Sequence, residues 1–135
     1  MNTEQNVQIV RDFFAAVGSN DIQSLQALIA EDIEWVIPGQ ENLPLAGTHR
    51  GHARLVTLIQ KAAELEISTP EPSEFVAQGD RVLMIGFAKR KVKATNKAFE
   101  DHFVLAITVR NRKVAAIREY VDTWRWHAPR PRQLN

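Results

Sequence analysis

Gly79-Asp80-Arg81-Val82-Leu83-Met84-Ile85-Gly86-Phe87 is the stretch on which the fold turns. Gly79-Asp80 is a tight-turn signal, and the run it opens is apolar at almost every position, the pattern of a strand covered on both faces. Such a strand belongs inside a sheet and needs neighbours. Phe99 to Val109 and Val114 to Thr123 supply them, joined around Arg110-Asn111-Arg112-Lys113. Upstream, residues 67–78 hold Pro70 and Pro72 and make at best an edge strand, because proline cannot donate to a ladder. The basic stretch from Lys89 to Lys97 reads as a solvated hairpin tip rather than a binding patch.

Toward the N-terminus the period changes from two to 3.6. Val7, Val10, Phe13, Phe14 and Val17 predict a first helix, with Gly18 as its left-handed stop. Ser19-Asn20-Asp21 can cap a second helix with its stripe at Ile22, Leu25, Leu28 and Ile29. A short strand follows at residues 33–37, ended by Pro38-Gly39. Residues 38–50 read as a loop of the length that closes over a site, and Leu55, Leu58, Ile59 and Ala62 mark a third helix over 52–65. Helices first and strands afterwards imply an α+β fold.

The chain of 135 residues, 44% hydrophobic, is the size of one domain, here set at 1–125 with a tail at 126–135. A net charge of +1 gives no field to attract nucleic acid or anionic lipid. No cysteine is present, which excludes thiolate chemistry and disulfides and fits a cytoplasmic location. No apolar run approaches the ~20 residues that span a bilayer, so no membrane partner is expected. His49, His52, His102 and His127 do not have the spacing of a metal site.

Three stretches taken together carry a resemblance: Trp35-Val36-Ile37-Pro38-Gly39, Ala46-Gly47-Thr48-His49-Arg50-Gly51, and Lys113-Val114 through Arg118-Glu119-Tyr120-Val121-Asp122-Thr123. In this order and spacing they resemble the SnoaL-like, ketosteroid isomerase-related group of the nuclear transport factor 2 superfamily. The resemblance implies a cone: three helices against a curved, mixed, mostly antiparallel sheet, with an apolar pocket at the wide end and a homodimer through the sheet. It also implies a small apolar ligand and no cofactor. Activity varies within such a fold, so residues must decide it. Where steroid isomerases of this fold carry a tyrosine and a strand carboxylate, this chain has Phe13-Phe14 and Trp35 with Ile37. The base and oxyanion donors of those isomerases therefore do not carry over. Limonene-type epoxide hydrolases share Tyr120-x-Asp122 but not Gly86-Phe87-Ala88. The SnoaL-like cyclases fit better, and their base resembles Asp122.

The last hairpin allows two registers. A two-residue tip at Asn111-Arg112 sets Asp101 across from Asp122, Phe103 across from Tyr120 and Leu105 across from Arg118, on one face. Facing carboxylates push their proton affinities apart, which is what acid and base catalysis needs. That tip demands positive φ at Arg112, however, and a bulged three-residue tip would bring His102 opposite Asp122 instead. Catalytic candidates are therefore Asp122, Asp101 and His102. Trp35, Tyr120 and Phe14 are candidate pocket walls, and Trp124 a rim residue or dimer contact. Two function classes remain: proton transfer on an apolar or polyketide-like carbonyl compound, or a non-catalytic binding or interaction module.

Overall fold

The computed structural model describes residues 2–39, 45–64, 71–92 and 97–121. Its elements run α1 (Thr3–Ser19), α2 (Ile22–Leu28), β1 (Ile29–Ile37), β2 (Gly47–Arg50), α3 (His52–Glu64), β3 (Glu71–Gln78), β4 (Arg81–Val92), β5 (Lys97–Arg110) and β6 (Lys113–Val121). Among the described residues no helix is long and apolar enough to cross a membrane.

Local chemistry explains the helix ends. Asn2 caps α1 reciprocally: its side chain accepts the Gln5 N–H at 2.8 Å, and the Gln5 side chain accepts the Asn2 N–H at 3.1 Å. The helix does not stop at Gly18. Asn20 takes the left-handed conformation, φ 54°, and donates its N–H back into the last turn. Asparagine tolerates that region, so Gly18 is not needed for the stop. Asp21 then caps α2 by accepting the Ser24 hydroxyl at 2.7 Å and the Ser24 N–H at 3.2 Å. These two bonds, the hydroxyl first, hold its carboxyl below the usual range.

The six strands form one mixed sheet in the order β2-β1-β6-β5-β4-β3, in which β1 and β6 are parallel and every other pair is antiparallel. The expected edge strand is indeed β3. β4 lies inside the sheet as expected, but only one of its faces is fully covered: Val82 and Met84 are buried while Leu83, Ile85 and Phe87 are half-buried. Two departures concern the strand after α2. Ile29 opens β1 instead of closing α2, and the stretch read as a loop at 38–50 contains β2, which pairs His49 with Trp35 and Gly47 with Ile37.

One sheet face packs on the helices. Ile107, Met84, Ile117 and Ile33, all 0–1% exposed, meet Val10 and Phe13 of α1 and Leu25 of α2, at 0%. Each such side chain contributes about 1.5–3 kcal/mol on burial. α1 is also clasped to β3 by the Arg11 guanidinium, 4.4 Å above the Phe75 ring.

The final hairpin reconciles its two registers. Asn111 and Arg112 form a two-residue tip, with φ of 54° and 63°, so arginine does adopt the disfavoured conformation. Arg110 then pairs with Lys113 and Val109 with Val114, but the next pair is Thr108 with Ala116. Ala115 is the extra residue of a β-bulge. Beyond it Ile107 faces Ile117, Leu105 faces Glu119, and Phe103 faces Val121. The predicted face uniting Phe103 and Leu105 with Arg118 and Tyr120 is therefore corrected. Arg118 and Tyr120 are both exposed and point to the outer side of the sheet.

Candidate functional site

The bulge determines which side chains of β6 enter the cone. Ile117 lies beside Trp35 of the parallel neighbour β1, and Glu119 is the next residue of β6 on that inner face. Trp35 Nε1–H donates to Glu119 Oε2 at 2.6 Å. So short a contact is that of a charge-assisted bond. Trp35 is 7% exposed, and a buried indole N–H requires an acceptor. Its ring is fixed by Phe13 and Phe14 of α1, with centroids 6.0 and 6.3 Å away, while the two phenylalanines meet edge to face at 4.9 Å. Farther along the same face stand buried Phe103 and Ile37 and half-buried Val121, and Gly86 opposite Phe103 adds no side chain. The result is an aromatic and aliphatic surface with a half-buried carboxylate at its margin.

The corner next to Trp35 is secured by histidines. His49, 5% exposed, donates Nε2–H to the Leu45 carbonyl at 2.8 Å, and its Nδ1 accepts Arg54 Nε–H at 3.1 Å. Both ring nitrogens are thus engaged, which fixes one neutral tautomer. His52 Nε2–H reaches the Ile29 carbonyl at 2.8 Å, and Gly51 N–H the Ile33 carbonyl at 2.9 Å. Gly51 has φ 88°, a conformation that a side chain would strain. Among the described residues no cluster of three or more His, Asp or Glu could hold a metal ion.

The predicted site residues are divided between two faces. Phe14 and Trp35 belong to the inner wall. Tyr120, 54% exposed, and His102, whose ring centroid lies 6.2 Å from that of Phe87, are on the outer face. With Ile85, Phe87, Val104 and Arg118 they line a groove of about 770 Å³ that Phe103, Glu119 and Val121 also border. Tyr120 and His102 thus border one groove together with Glu119 and Phe103. The backbone of Asp101 pairs with Ala88. Asp122 and Trp124 lie outside the described residues, as does the anticipated pairing of Asp122 with Asp101 or His102. Glu119 is not among the residues that the sequence pattern singles out. The signal that could have found it is Val114-Ala115-Ala116-Ile117, where strict alternation breaks and a bulge reverses the inward parity.

Residues 10–117 match the family model described as a SnoaL-like domain. No curated protein matches the sequence. An NTF2-like protein from Burkholderia xenovorans LB400 is 64% identical, with 92% of this chain and 94% of that one covered and a TM-score of 0.84. TerC, co-crystallised with polyporic acid, is 26% identical over 91% of this chain and 95% of its own, with a TM-score of 0.79. A putative polyketide cyclase from Sinorhizobium meliloti, 18% identical over 84% and 94% with a TM-score of 0.67, shares the fold.

Proposed function

Because the chain belongs to the SnoaL-like family, we propose that it binds a small apolar carbonyl compound inside the cone and moves a proton on it without metal or organic cofactor. Asp122 is the proposed base. The observation that carries this reading is the inner wall of Trp35, Phe14, Ile37 and Phe103, an apolar surface bordered by an acidic side chain. In such surroundings a carboxylate can take the proton from the carbon next to a carbonyl, and the released electron pair moves to the carbonyl oxygen as an enolate. Return of the proton to a different atom completes an isomerisation, and attack of the enolate on a second carbonyl completes a cyclisation. The polyporic acid bound by TerC supports a small organic compound as the ligand class.

The test is exchange of solvent deuterium into the α-carbon of bound ketones, followed by NMR. Wild-type protein should exchange above buffer, and Asp122→Asn should lose roughly 100-fold or more while still binding. Binding with no exchange for any ligand refutes catalysis and leaves the ligand-binding module. That second reading is favoured by Phe13-Phe14 and Gly86-Phe87-Ala88, which stand where related enzymes carry polar catalytic groups.

A homodimer through the outer sheet face is part of the same proposal. Val76 and Tyr120 are 47% and 54% exposed there, around half-buried Leu83, Ile85, Phe87 and Val104. Glu74 lies toward the β3 edge of this face and Arg118 on β6. A two-fold axis along the strands would bring these opposite charges toward each other. Sedimentation of wild type and Ile85→Glu should give a dimer and a monomer respectively.

A further inference from the structure

We infer that His49 is a proton-sensitive latch: its neutral ring holds β2 and α3 together beside Trp35, and protonation releases them. The latch works whatever compound the pocket takes.

In the sheet described, β2 is a four-residue edge strand paired with β1. It begins at Gly47 and is followed by Gly51, with φ of 121° and 88°, and at neither position does an atom lie within 4 Å of where a Cβ would stand. Crowding does not require glycine there; the backbone conformation does, and such residues can absorb the rotation of a short strand. Among the described residues, His49 is the β2 side chain hydrogen-bonded to α3. Its Nε2–H holds the Leu45 carbonyl at 2.8 Å, and its Nδ1 accepts Arg54 Nε–H at 3.1 Å. A carbonyl oxygen carries no proton and a guanidinium offers no acceptor, so both contacts exist only while the ring is neutral with its proton on Nε2. An imidazolium has N–H groups on both sides, and its Nδ1–H would face the N–H of a permanent cation. Protonation and the Arg54 bond are therefore mutually exclusive. At 5% exposure the ring has little water to replace the lost partner.

The surrounding charges do not relieve this conflict. Among the described residues neither ring nitrogen meets a carboxylate. On β1, Trp35 lies opposite His49 and gives its Nε1–H to Glu119, while Glu34 pairs with Arg50 at 2.7 Å. Glu31 and Asp32 are exposed nearer the start of β1, where Asp32 pairs with Arg110. On α3 the facing group is Arg54; His52 is turned to the Ile29 carbonyl, and Lys61 and Glu64 lie about two turns or more farther along.

The test is amide hydrogen exchange of the full chain, resolved by NMR at about pH 8 and about pH 5, an interval in which imidazoles take up a proton. Expressed as protection factors, the β2 amides bonded to β1 should lose about tenfold or more on acidification, the weight of a hydrogen bond from a charged donor. Met84 and Ile107, in the core strands, should lose less than about twofold. Arg54→Met, at an exposed position, removes the opposing donor. Its β2 protection should already be reduced at the higher pH and fall no further at the lower. Imidazole nitrogen shifts of wild type at the higher pH should place the His49 proton on Nε2. A proton on Nδ1, β2 protection indifferent to pH, a loss shared equally by Met84 and Ile107, or the same acid response in Arg54→Met would overturn the latch.

Discussion

The bond between Trp35 and Glu119 can be weighed by a double-mutant cycle of Trp35→Phe, Glu119→Met and the pair together. At 2.6 Å, with the donor 7% exposed, the contact belongs with hydrogen bonds to charged groups, about 1.5–3 kcal/mol. Glu119 is half-buried, so solvent screening places the expectation near the lower limit, about 1.5 kcal/mol. Trp35→Phe alone should cost more, about 3 kcal/mol, because it also opens a cavity between Phe13 and Phe14. Glu119→Met leaves a buried indole N–H without this acceptor, at about 1–2 kcal/mol. The double variant removes donor and acceptor together, and its cost should fall short of the sum by about 1.5 kcal/mol. Urea unfolding followed by far-UV circular dichroism reads all four proteins without relying on tryptophan fluorescence, and unchanged slopes would confirm comparable unfolded states. A coupling below about 0.5 kcal/mol would refute the argument, since that is the scatter of independent sites.

Arg112→Gly should stabilise the protein by about 1 kcal/mol, because glycine removes the strain of φ 63° at the hairpin tip; urea unfolding checks it, and a loss of stability would contradict the geometry. Asn6 is 3% exposed, donates Nδ2–H to the Gly79 carbonyl at 3.0 Å, and its Oδ1 has no partner among the described residues. Asn6→Asp should cost about 3 kcal/mol or more at pH 7, as a buried and unpaired charge. Burial raises the folded pKa of the introduced carboxyl above its unfolded value, so the penalty is absent below about pH 4 and grows as pH rises toward the folded value. A pH-independent cost would count against this. Asp21→Ala should lower the melting temperature at neutral pH by removing the α2 cap. The native carboxyl titrates below its ordinary range, so its stabilisation is present above the unfolded pKa and fades as pH falls through the folded one; the two melting curves should converge once pH is below the folded value.

Where burial alone governs, the sequence was readable. Val10, Phe13 and Phe14 at helical spacing and the apolar run from Val82 to Phe87 can be satisfied in few ways, and both elements stand where they were expected. β2 was not legible, because Gly47-Thr48-His49-Arg50 has no apolar alternation and exists as a strand by pairing with β1. Gly18 misled because two neighbouring residue types, Gly and Asn, can both end a helix, and packing chose Asn20. The inner carboxylate was illegible for a different reason. Inward parity along β6 depends on whether an extra residue intervenes after the tip, and Ala115 is too small to announce its side by hydrophobicity.

That bulge has a larger consequence than a local kink. Near the tip, β6 is in the register of a tight two-residue turn, which brings Val114 opposite Val109, both buried. Without a bulge the same register would continue, directing Arg118 and Tyr120 into the cone and Glu119 outward. A guanidinium beside Trp35 would leave the indole N–H facing another donor, since arginine has no acceptor to offer. Inserting Ala115 instead gives Trp35 a carboxylate and leaves Arg118 and Tyr120 on the outer face beside Val104 and Ala106. One residue thus assigns an acceptor to the interior and a cation and a phenol to the exterior. The chemistry available inside the cone and the charge presented on the outer face of the sheet are fixed by the same register shift.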